Sequence, residues 1–429
     1  MSYSGYGQPY GQPPPPQGYG QYSHAPPPPH GQYPPPGQYP PQQGGYHQQP
    51  PPGQYPPQHS PYGHHPPPPP PGQYGAPPPQ HYGHSPAPPP PGQYGAPPPQ
   101  HYGPPVPPTP PSLGYGAPQI INWDASHDAQ ALRSAMKGFG TDEKALIHIL
   151  SNKDPLQIDL IRNTFERNLR RNLIKDLKSE TSGWFEKGLV ELARGPLLSD
   201  VHNLYDAMSG PGTKEIVLND VLLSRSNADM KAIKGAYQQT FHKSLEAAVK
   251  GDLSMKTERH FLMVLSANRA EDAAPVIPQQ IDDDVMQIYK ATEGKMGTDE
   301  LLVCSIFTYR NDNQLRAIAH SYKQKFNRDL EKVIKSEFSG HMQDALLFQL
   351  RHAVDKYMHA ANQLEESMAG MGTKDYLLVQ RVVRYHWDRN TLANVKGAYQ
   401  QRYSRSLGSR IKGETSGDYG RLMLACVGE

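Results

Sequence analysis

The pattern of apolar and polar positions divides the chain into two unlike parts. From about residue 122 onward, apolar residues recur at helical spacing, as in the run ALIHIL at 145–150. Thr141 stands where the N-cap of that helix is expected, and Asp154 followed by Pro155 is typical of a second helix start. About five short helices fit into roughly 70 residues, and no alternating strand pattern competes with them. The sequence therefore predicts an all-α fold.

One short loop motif recurs four times in this helical part. Its copies are MKGFGTDE at 136–143, MSGPGTKE at 208–215, GKMGTDE at 294–300 and MAGMGTKD at 368–375. A second motif, KSETSG in the first copy, follows each loop and carries an acidic residue. That acid lies 39 positions after the loop threonine in three copies and 41 positions after it in the fourth, at Glu180, Asp252, Glu337 and Glu414. This periodicity predicts four repeats of about five helices each, at 122–194, 195–267, 279–358 and 359–429.

Residues 1–118 form a tail with a different composition. They contain no Lys, Arg, Asp or Glu and consist almost wholly of Pro, Gly, Gln, Tyr, His, Ser and Ala. Such a segment has little apolar surface to bury against the entropy of ordering, so we expect a disordered tail. Three roles stay open for it: a passive spacer, self-association or partner recognition through its tyrosines and prolines, and binding of a soft metal by its histidines.

Composition also restricts the function. The 42 basic and 40 acidic residues nearly balance, so we expect no nucleic-acid partner. The start of the chain lacks a signal-peptide pattern, and no apolar run is long enough to cross a bilayer. Cys304 and Cys426 lie in apolar runs, which favours free, buried thiols. A cytoplasmic protein that meets membranes only peripherally is expected. No catalytic constellation occurs at mechanistic spacing, which argues against an enzyme.

The loop and its distant acid fit the chemistry of calcium. Calcium takes six to eight oxygen ligands, including backbone carbonyls and carboxylates. Two glycines around one residue permit positive φ, which would turn the carbonyls of Met136, Gly138 and Gly140 toward one point, and Glu180 is the regularly placed acid that completes the set. A single GxGT loop is also an ordinary helix–helix turn, but four copies with a regularly spaced acid favour metal binding. An EF-hand is excluded because its loop motif is absent.

These motifs resemble those of the annexin family over about residues 122–429, with MKGFGTDE, KSETSG and IKGETSGDY the most specific. The tail is similar to the Pro/Gly/Tyr-rich heads of synexin-like annexins, and the whole most resembles fungal members. The resemblance implies four five-helix repeats in a curved disc, with Ca²⁺ held on the convex face and shared with anionic, phosphatidylserine-type phospholipids. It implies these calcium ligands in the first two repeats: Met136, Gly138, Gly140, Glu180, Met208, Gly210, Gly212 and Asp252.

Repeats 3 and 4 depart from this pattern. Repeat 3 has Lys295 in place of the first glycine, and its expected ligands are Lys295, Gly297 and Glu337, with the earlier carbonyl near residue 293 or 294 unassigned. Repeat 4 has two extra residues, which we place upstream of the acid, so its expected ligands remain Met368, Gly370, Gly372 and Glu414. At the loop tips we expect membrane contact by Lys137, Phe139, Met296 and Met371.

Calcium-dependent binding to anionic membranes, serving membrane organisation, vesicle aggregation or trafficking, is the function that this pattern favours. Two alternatives remain: a helical-repeat scaffold for protein partners, and a protein that self-associates through its tail.

Overall fold

The structure is a computed structural model that describes residues 106–294 and 297–429. Repeat 1 contains α1 (Ser126–Ala135), α2 (Glu143–Ser151), α3 (Pro155–Leu169), α4 (Leu173–Glu180) and the first part of α5 (Gly183–Met208). Repeat 2 contains the second part of α5, α6 (Glu215–Leu222), α7 (Asn227–Phe241), α8 (Leu245–Asp252) and α9 (Met255–Leu265). Repeat 3 contains α10 (Pro278–Thr292), α11 (Glu300–Tyr309), α12 (Asp312–Phe326), α13 (Leu330–Glu337) and α14 (Gly340–Val354). Repeat 4 contains α15 (Lys356–Met368), α16 (Asp375–His386), α17 (Arg389–Tyr403), α18 (Leu407–Glu414) and α19 (Gly417–Cys426).

The prediction of four repeats with five helices each is confirmed. The described residues contain 19 helices and no strand. The long helix α5 serves two repeats, because Gly195 has a left-handed φ of +74° and Pro196 follows it, so the chain kinks there. Counting α5 as two helices, the described part of the chain holds four sets of five.

Local sequence explains where the third helix of a repeat starts. In α3 the Asp154 side chain accepts hydrogen bonds from the backbone N–H groups of Leu156 and Gln157, and the Gln157 side chain completes a capping box. The expectation for α2 was different from the structure: Asp142, not Thr141, is its N-cap. Thr141 is therefore available for another contact, described below.

Buried apolar side chains form three clusters. One cluster joins repeats 1 and 4, a second lies mainly in repeat 2, and a third lies in repeat 3. Cys304 and Cys426 are buried free thiols within this core, as expected. Each amphipathic helix thus buries its apolar stripe against other helices, which leaves the connecting loops at the surface.

The last part of the predicted tail differs from expectation. Ser112 donates two hydrogen bonds to the carboxylate of Asp229, from its N–H at 2.7 Å and its hydroxyl at 2.6 Å. Tyr115 is buried against the repeat 2 cluster and donates a hydrogen bond to Asp200 at 2.5 Å. A short segment of this Pro-rich stretch is therefore anchored by polar contacts that hydrophobicity patterns do not register. The prediction of disorder for residues 1–105 lies outside the described residues.

None of the helices in the described ranges combines the length and the apolar character needed to span a bilayer.

Candidate metal sites

The structure brings the loop threonine and the distant acid together in repeats 2, 3 and 4. The Thr213 hydroxyl donates to Asp252 Oδ2 at 2.6 Å. Thr298 donates to Glu337 Oε2 at 2.8 Å, and Thr373 donates to Glu414 Oε2 at 2.7 Å. Each acid is at the C-terminal residue of a short helix, so the end of that helix delivers its carboxylate to the loop. The constant spacing along the sequence thus corresponds to a contact in space.

In repeat 1 the loop threonine also contacts the acidic residue, but through the backbone of that residue. The Thr141 hydroxyl donates to the backbone carbonyl of Glu180 at 3.1 Å. The Glu180 carboxylate is exposed and accepts no hydrogen bond from the described part of the chain. Loop and acid are adjacent here too, and the carboxylate remains available to a cation.

Each loop is closed by a backbone hydrogen bond across its base. The N–H after the threonine donates to a carbonyl at the end of the preceding helix, from Asp142 to Ala135 at 2.9 Å and from Asp299 to Ala291 at 2.8 Å. The first of these bonds spans seven residues and the second spans eight, so the loop of repeat 3 is one residue longer. The difference between repeat 3 and repeat 1 therefore lies in the length of the loop itself.

The described part of the repeat 3 loop ends at Gly294 and resumes at Gly297. Lys295 and Met296 lie outside the described residues. The Glu293 carboxylate accepts a hydrogen bond from the Tyr322 hydroxyl at 2.5 Å and pairs with Arg328. That side chain is thus held by other groups, and only a backbone carbonyl near residue 293 or 294 is left as the unassigned early ligand.

The glycines have the backbone conformations that such a loop needs. Gly138 and Gly140 have φ values of +115° and +84°, in the left-handed region that glycine tolerates, and a Cβ atom at either position would meet no other atom within 4 Å. Gly370 and Gly372 repeat this pair with +105° and +84°. In the loop of repeat 2, Gly212 has a positive φ of +79°, whereas Gly210 does not, and Gly210 precedes Pro211, which restricts its backbone.

In repeats 1 and 2 an acidic residue lies beside loop glycines with open space around them, an arrangement suited to a hard cation such as calcium. Each site offers loop carbonyls and one carboxylate, which leaves coordination places for other oxygens. Among the described residues no three His, Cys, Asp or Glu side chains group into a metal site. A site built mainly from backbone carbonyls does not require such a group.

The two extra residues of repeat 4 lie upstream of its acid, as predicted. Helix α16 has 12 residues, whereas α2 has nine, and the interval from the loop threonine to the cap of the next helix grows from 13 residues to 15. From that cap, Asp388, to Glu414 the interval is 26 residues, the same as from Asp154 to Glu180. The insertion therefore lengthens one helix without moving the acid away from the loop.

A feature that the sequence analysis missed distinguishes repeat 4. The Arg410 guanidinium contacts both the Glu414 carboxylate and the Met368 carbonyl oxygen, two of the four expected calcium ligands. A hydrogen bond from Thr373, reinforced by Arg410, holds the pKa of Glu414 below its ordinary value despite partial desolvation. Glu414 is thus an anion with a cationic partner already in place. Two of the oxygens that calcium would need in this repeat are thus already bonded to a cation.

Large apolar side chains are exposed at these loops. Phe139 and Met371, both expected to contact membranes, extend fully into solvent, and Lys137 is also exposed. Two further side chains were missed by the sequence analysis: Trp184 is 41% exposed and Met255 is 84% exposed. Both follow the acid of their repeat, and the signal for Met255 was its position, where the other repeats have glycine.

Comparison with known proteins adds an independent line of evidence. The sequence model of the annexin family matches residues 127–192, 199–264, 283–348 and 359–426. Annexin C1 of Cryptococcus neoformans is 41% identical over 312 residues, which are 72% of this chain and 66% of that protein. This chain belongs to the annexin family. Human annexin A7 is 39% identical over 309 residues, 72% of this chain and 62% of its own length. The chain thus spans slightly less than two thirds of the length of these two annexins.

Solved annexin structures have the same fold. Annexin III superposes with a TM-score of 0.68 at 31% identity, covering 72% of this chain and 95% of that one. Chicken annexin V gives a TM-score of 0.65 at 33% identity, with 72% and 97% covered. A calcium-bound structure of annexin (Sm)1 gives 0.64 at 29% identity, with 72% and 92% covered.

Proposed function

We propose that this annexin binds anionic phospholipid membranes in a calcium-dependent manner through the loops of repeats 1, 2 and 3. The observation that carries the proposal is the contact between each loop threonine and the acidic residue 39 positions later. Three separate pairs of segments bring the acidic residue to its loop, with a bond to its carboxylate in repeats 2 and 3 and to its backbone carbonyl in repeat 1. A turn that served only to connect two helices would not need this distant acid.

The protein groups that would hold calcium are backbone carbonyls and one carboxylate per site. In repeats 1 and 2 they come from the residues named in the sequence analysis, ending in Glu180 and Asp252. In repeat 3 they come from Lys295, Gly297 and Glu337. Bound calcium would supply a charge that attracts lipid phosphate. Since these residues do not fill its coordination shell, phosphate oxygens can complete it.

Exposed side chains beside the loops would strengthen contact with the membrane. Phe139 extends away from the protein surface, where its ring can enter the interfacial region, and Lys137 can pair with lipid phosphate. Weak sites on one rigid body reinforce one another through effective concentration. Membrane binding should therefore rise steeply with calcium.

The relatives support this proposal. A calcium-bound structure is known for annexin (Sm)1, whose sequence identity to this chain is 29%. Recruitment from the cytoplasm as calcium rises, and consequent organisation or aggregation of vesicles, belong to the same proposal. Binding through the tail to itself or to protein partners is the part that the helical repeats do not address.

The test is sedimentation with vesicles of phosphatidylserine and phosphatidylcholine, in calcium or in chelator. We expect the native chain to pellet only in calcium, and not with vesicles of phosphatidylcholine alone. Each of the variants Glu180→Gln, Asp252→Asn and Glu337→Gln should need more calcium for half-maximal binding, because each loses its charged ligand. Their combination should abolish the calcium response.

Glu166→Gln is the matched control, since it removes one exposed carboxylate from α3, away from the loops. It should bind like the native chain. Equal pelleting with and without calcium, or an unaltered calcium response in the triple variant, would refute the proposal.

A further inference from the structure

Arg410 lies between the loop and the acid of repeat 4. It contacts Glu414 one helical turn later and the Met368 carbonyl of the loop, and its Nε lies 3.3 Å from Glu365 Oε2. Its side chain is only 14% exposed. A guanidinium with several donors in a fixed plane can bond two carboxylates and a carbonyl at once. One side chain thus bonds two of the four expected ligands, the Met368 carbonyl and the Glu414 carboxylate.

The corresponding positions of the other repeats lack this cation. The residue four positions before the acid is Asp176 in repeat 1, Ala248 in repeat 2 and Val333 in repeat 3. None of these side chains can donate to a carbonyl as a cation does. The arginine is therefore a property of repeat 4 and not of the repeat architecture.

Repeat 1 contains the same kind of ion pair with its charges exchanged. There the cation, Arg133, is on the first helix, three residues before Met136, and it pairs with Asp176 on the fourth helix at 3.9 Å. Arg133 Nη1 approaches the Met136 carbonyl at 3.5 Å, but no bond links it to Glu180 within the described residues. In repeat 4 the anion, Glu365, occupies the first helix and the cation occupies the fourth.

The position of the cation on the fourth helix decides whether it can reach the acid. Residues four apart lie on the same face of a helix, so a cation at position 410 reaches the acid at 414 directly. Glu365 is itself held by Arg405 at 3.1 Å and by the Tyr399 hydroxyl. Arg410 is thus oriented toward the site by a partner that is fixed on its other side.

We propose that the Arg410 guanidinium is a built-in substitute for calcium, which closes the repeat 4 loop onto its acid and prevents this repeat from binding the metal. The inference rests on the proposed function of the other three repeats. Calcium could enter only by displacing a cation from Glu414 and Met368. Because calcium must break charge-assisted hydrogen bonds of this kind, its binding to repeat 4 should be weakened by about 10- to 100-fold.

The test isolates repeat 4 in the full-length chain. Glu180→Gln, Asp252→Asn and Glu337→Gln together form the background, and Arg410→Met is added to it. Methionine keeps a long apolar stem while removing the charge. Bound calcium is counted by equilibrium dialysis with radioactive calcium, with and without vesicles of phosphatidylserine and phosphatidylcholine. Arg410→Lys in the same background is the control that keeps the charge.

We expect no site in the triple variant or in its Arg410→Lys derivative, and one new site per chain when Arg410→Met is added. A calcium site in the triple variant would overturn the proposal. So would the absence of a new site in a folded Arg410→Met chain. The native chain is measured beside them: if it binds no calcium, the proposed function fails, whereas a site gained with Arg410→Met still supports the role of Arg410.

Circular dichroism establishes that each variant is folded. If Arg410→Met unfolds the background, Arg410→Gln replaces it, because its amide can retain a hydrogen bond to the Met368 carbonyl. Loss of the fold with both substitutions would also overturn the proposal, since Arg410 would then be required for structure and not for excluding the metal.

Discussion

Met255 connects the stability of repeat 2 with the membrane contact proposed for that repeat. Its φ is +52°, a left-handed conformation that side chains rarely adopt, and 84% of the residue is exposed. The same position in the other repeats is occupied by Gly183, Gly340 and Gly417, with φ values of +64°, +56° and +59°. Repeat 2 thus has an exposed methionine where the backbone favours glycine. A side chain retained under such strain indicates a use for it.

Replacing Met255 with glycine should have two opposite effects. The left-handed conformation costs a residue with a Cβ about 1–2 kcal/mol, and the greater freedom of glycine in the unfolded chain offsets roughly 0.5–1 kcal/mol of that gain. We therefore expect the folded state to gain about 0.5–1 kcal/mol. Partial insertion of the methionine into a membrane is worth about 1 kcal/mol, so its loss should weaken vesicle binding about fivefold.

The assay pairs urea unfolding with vesicle sedimentation at saturating calcium. Met255→Ala is the matched control, because alanine removes the apolar side chain but keeps a Cβ in the left-handed conformation. It should weaken membrane binding as glycine does, without the gain in stability. Unchanged vesicle binding in both variants would show that Met255 does not contact lipid. Equal stability of the glycine and alanine variants would show that the backbone strain is not relieved.

Two further predictions concern stability. A chain beginning at residue 106 should be about 3 kcal/mol more stable in urea than one beginning at residue 119, because only the longer chain retains the contacts of Ser112 and Tyr115; equal midpoints would contradict this anchoring. Burial lowers the pKa of His260 to about 4, so the unfolded chain takes up its proton first and this histidine alone should lower stability by up to about 3 kcal/mol between pH 6.5 and 4. His260→Gln should make the unfolding free energy fall less steeply with pH, whereas replacing the exposed His148 by Gln should not; a slope equal to that of the native chain in both variants would refute it.

The fold could be predicted because each helix carries its own signal. Apolar residues at helical spacing define the buried faces, and the pair of Asp154 and Pro155 places one helix start correctly. The contact between loop and acid could also be predicted, because a constant interval of 39 residues in a repeated fold returns the chain to the same place. This prediction needs no structure, because the repeats of the sequence can be compared with one another.

Other features required the structure because they depend on side-chain contacts between distant segments. Thr141 reads as a helix cap, yet its hydroxyl bonds the backbone of Glu180 and Asp142 caps the helix. The anchoring of Tyr115 depends on Asp200, 85 residues away, in a stretch whose prolines and glycines indicate no packing at all. Spacing rules describe periodic elements, and neither contact is periodic.

Repeat 4 shows which departures from a motif change chemistry. Its two extra residues are the conspicuous difference in the sequence, but they extend α16 and leave the interval from Asp388 to Glu414 unchanged. Arg410 alters neither the length nor any letter of the two motifs, and yet it brings a positive charge to the oxygens of Met368 and Glu414. A length change outside the loop is absorbed by a helix, which can add residues at its end. A charge inside the site cannot be absorbed, because it competes for the same oxygens as calcium.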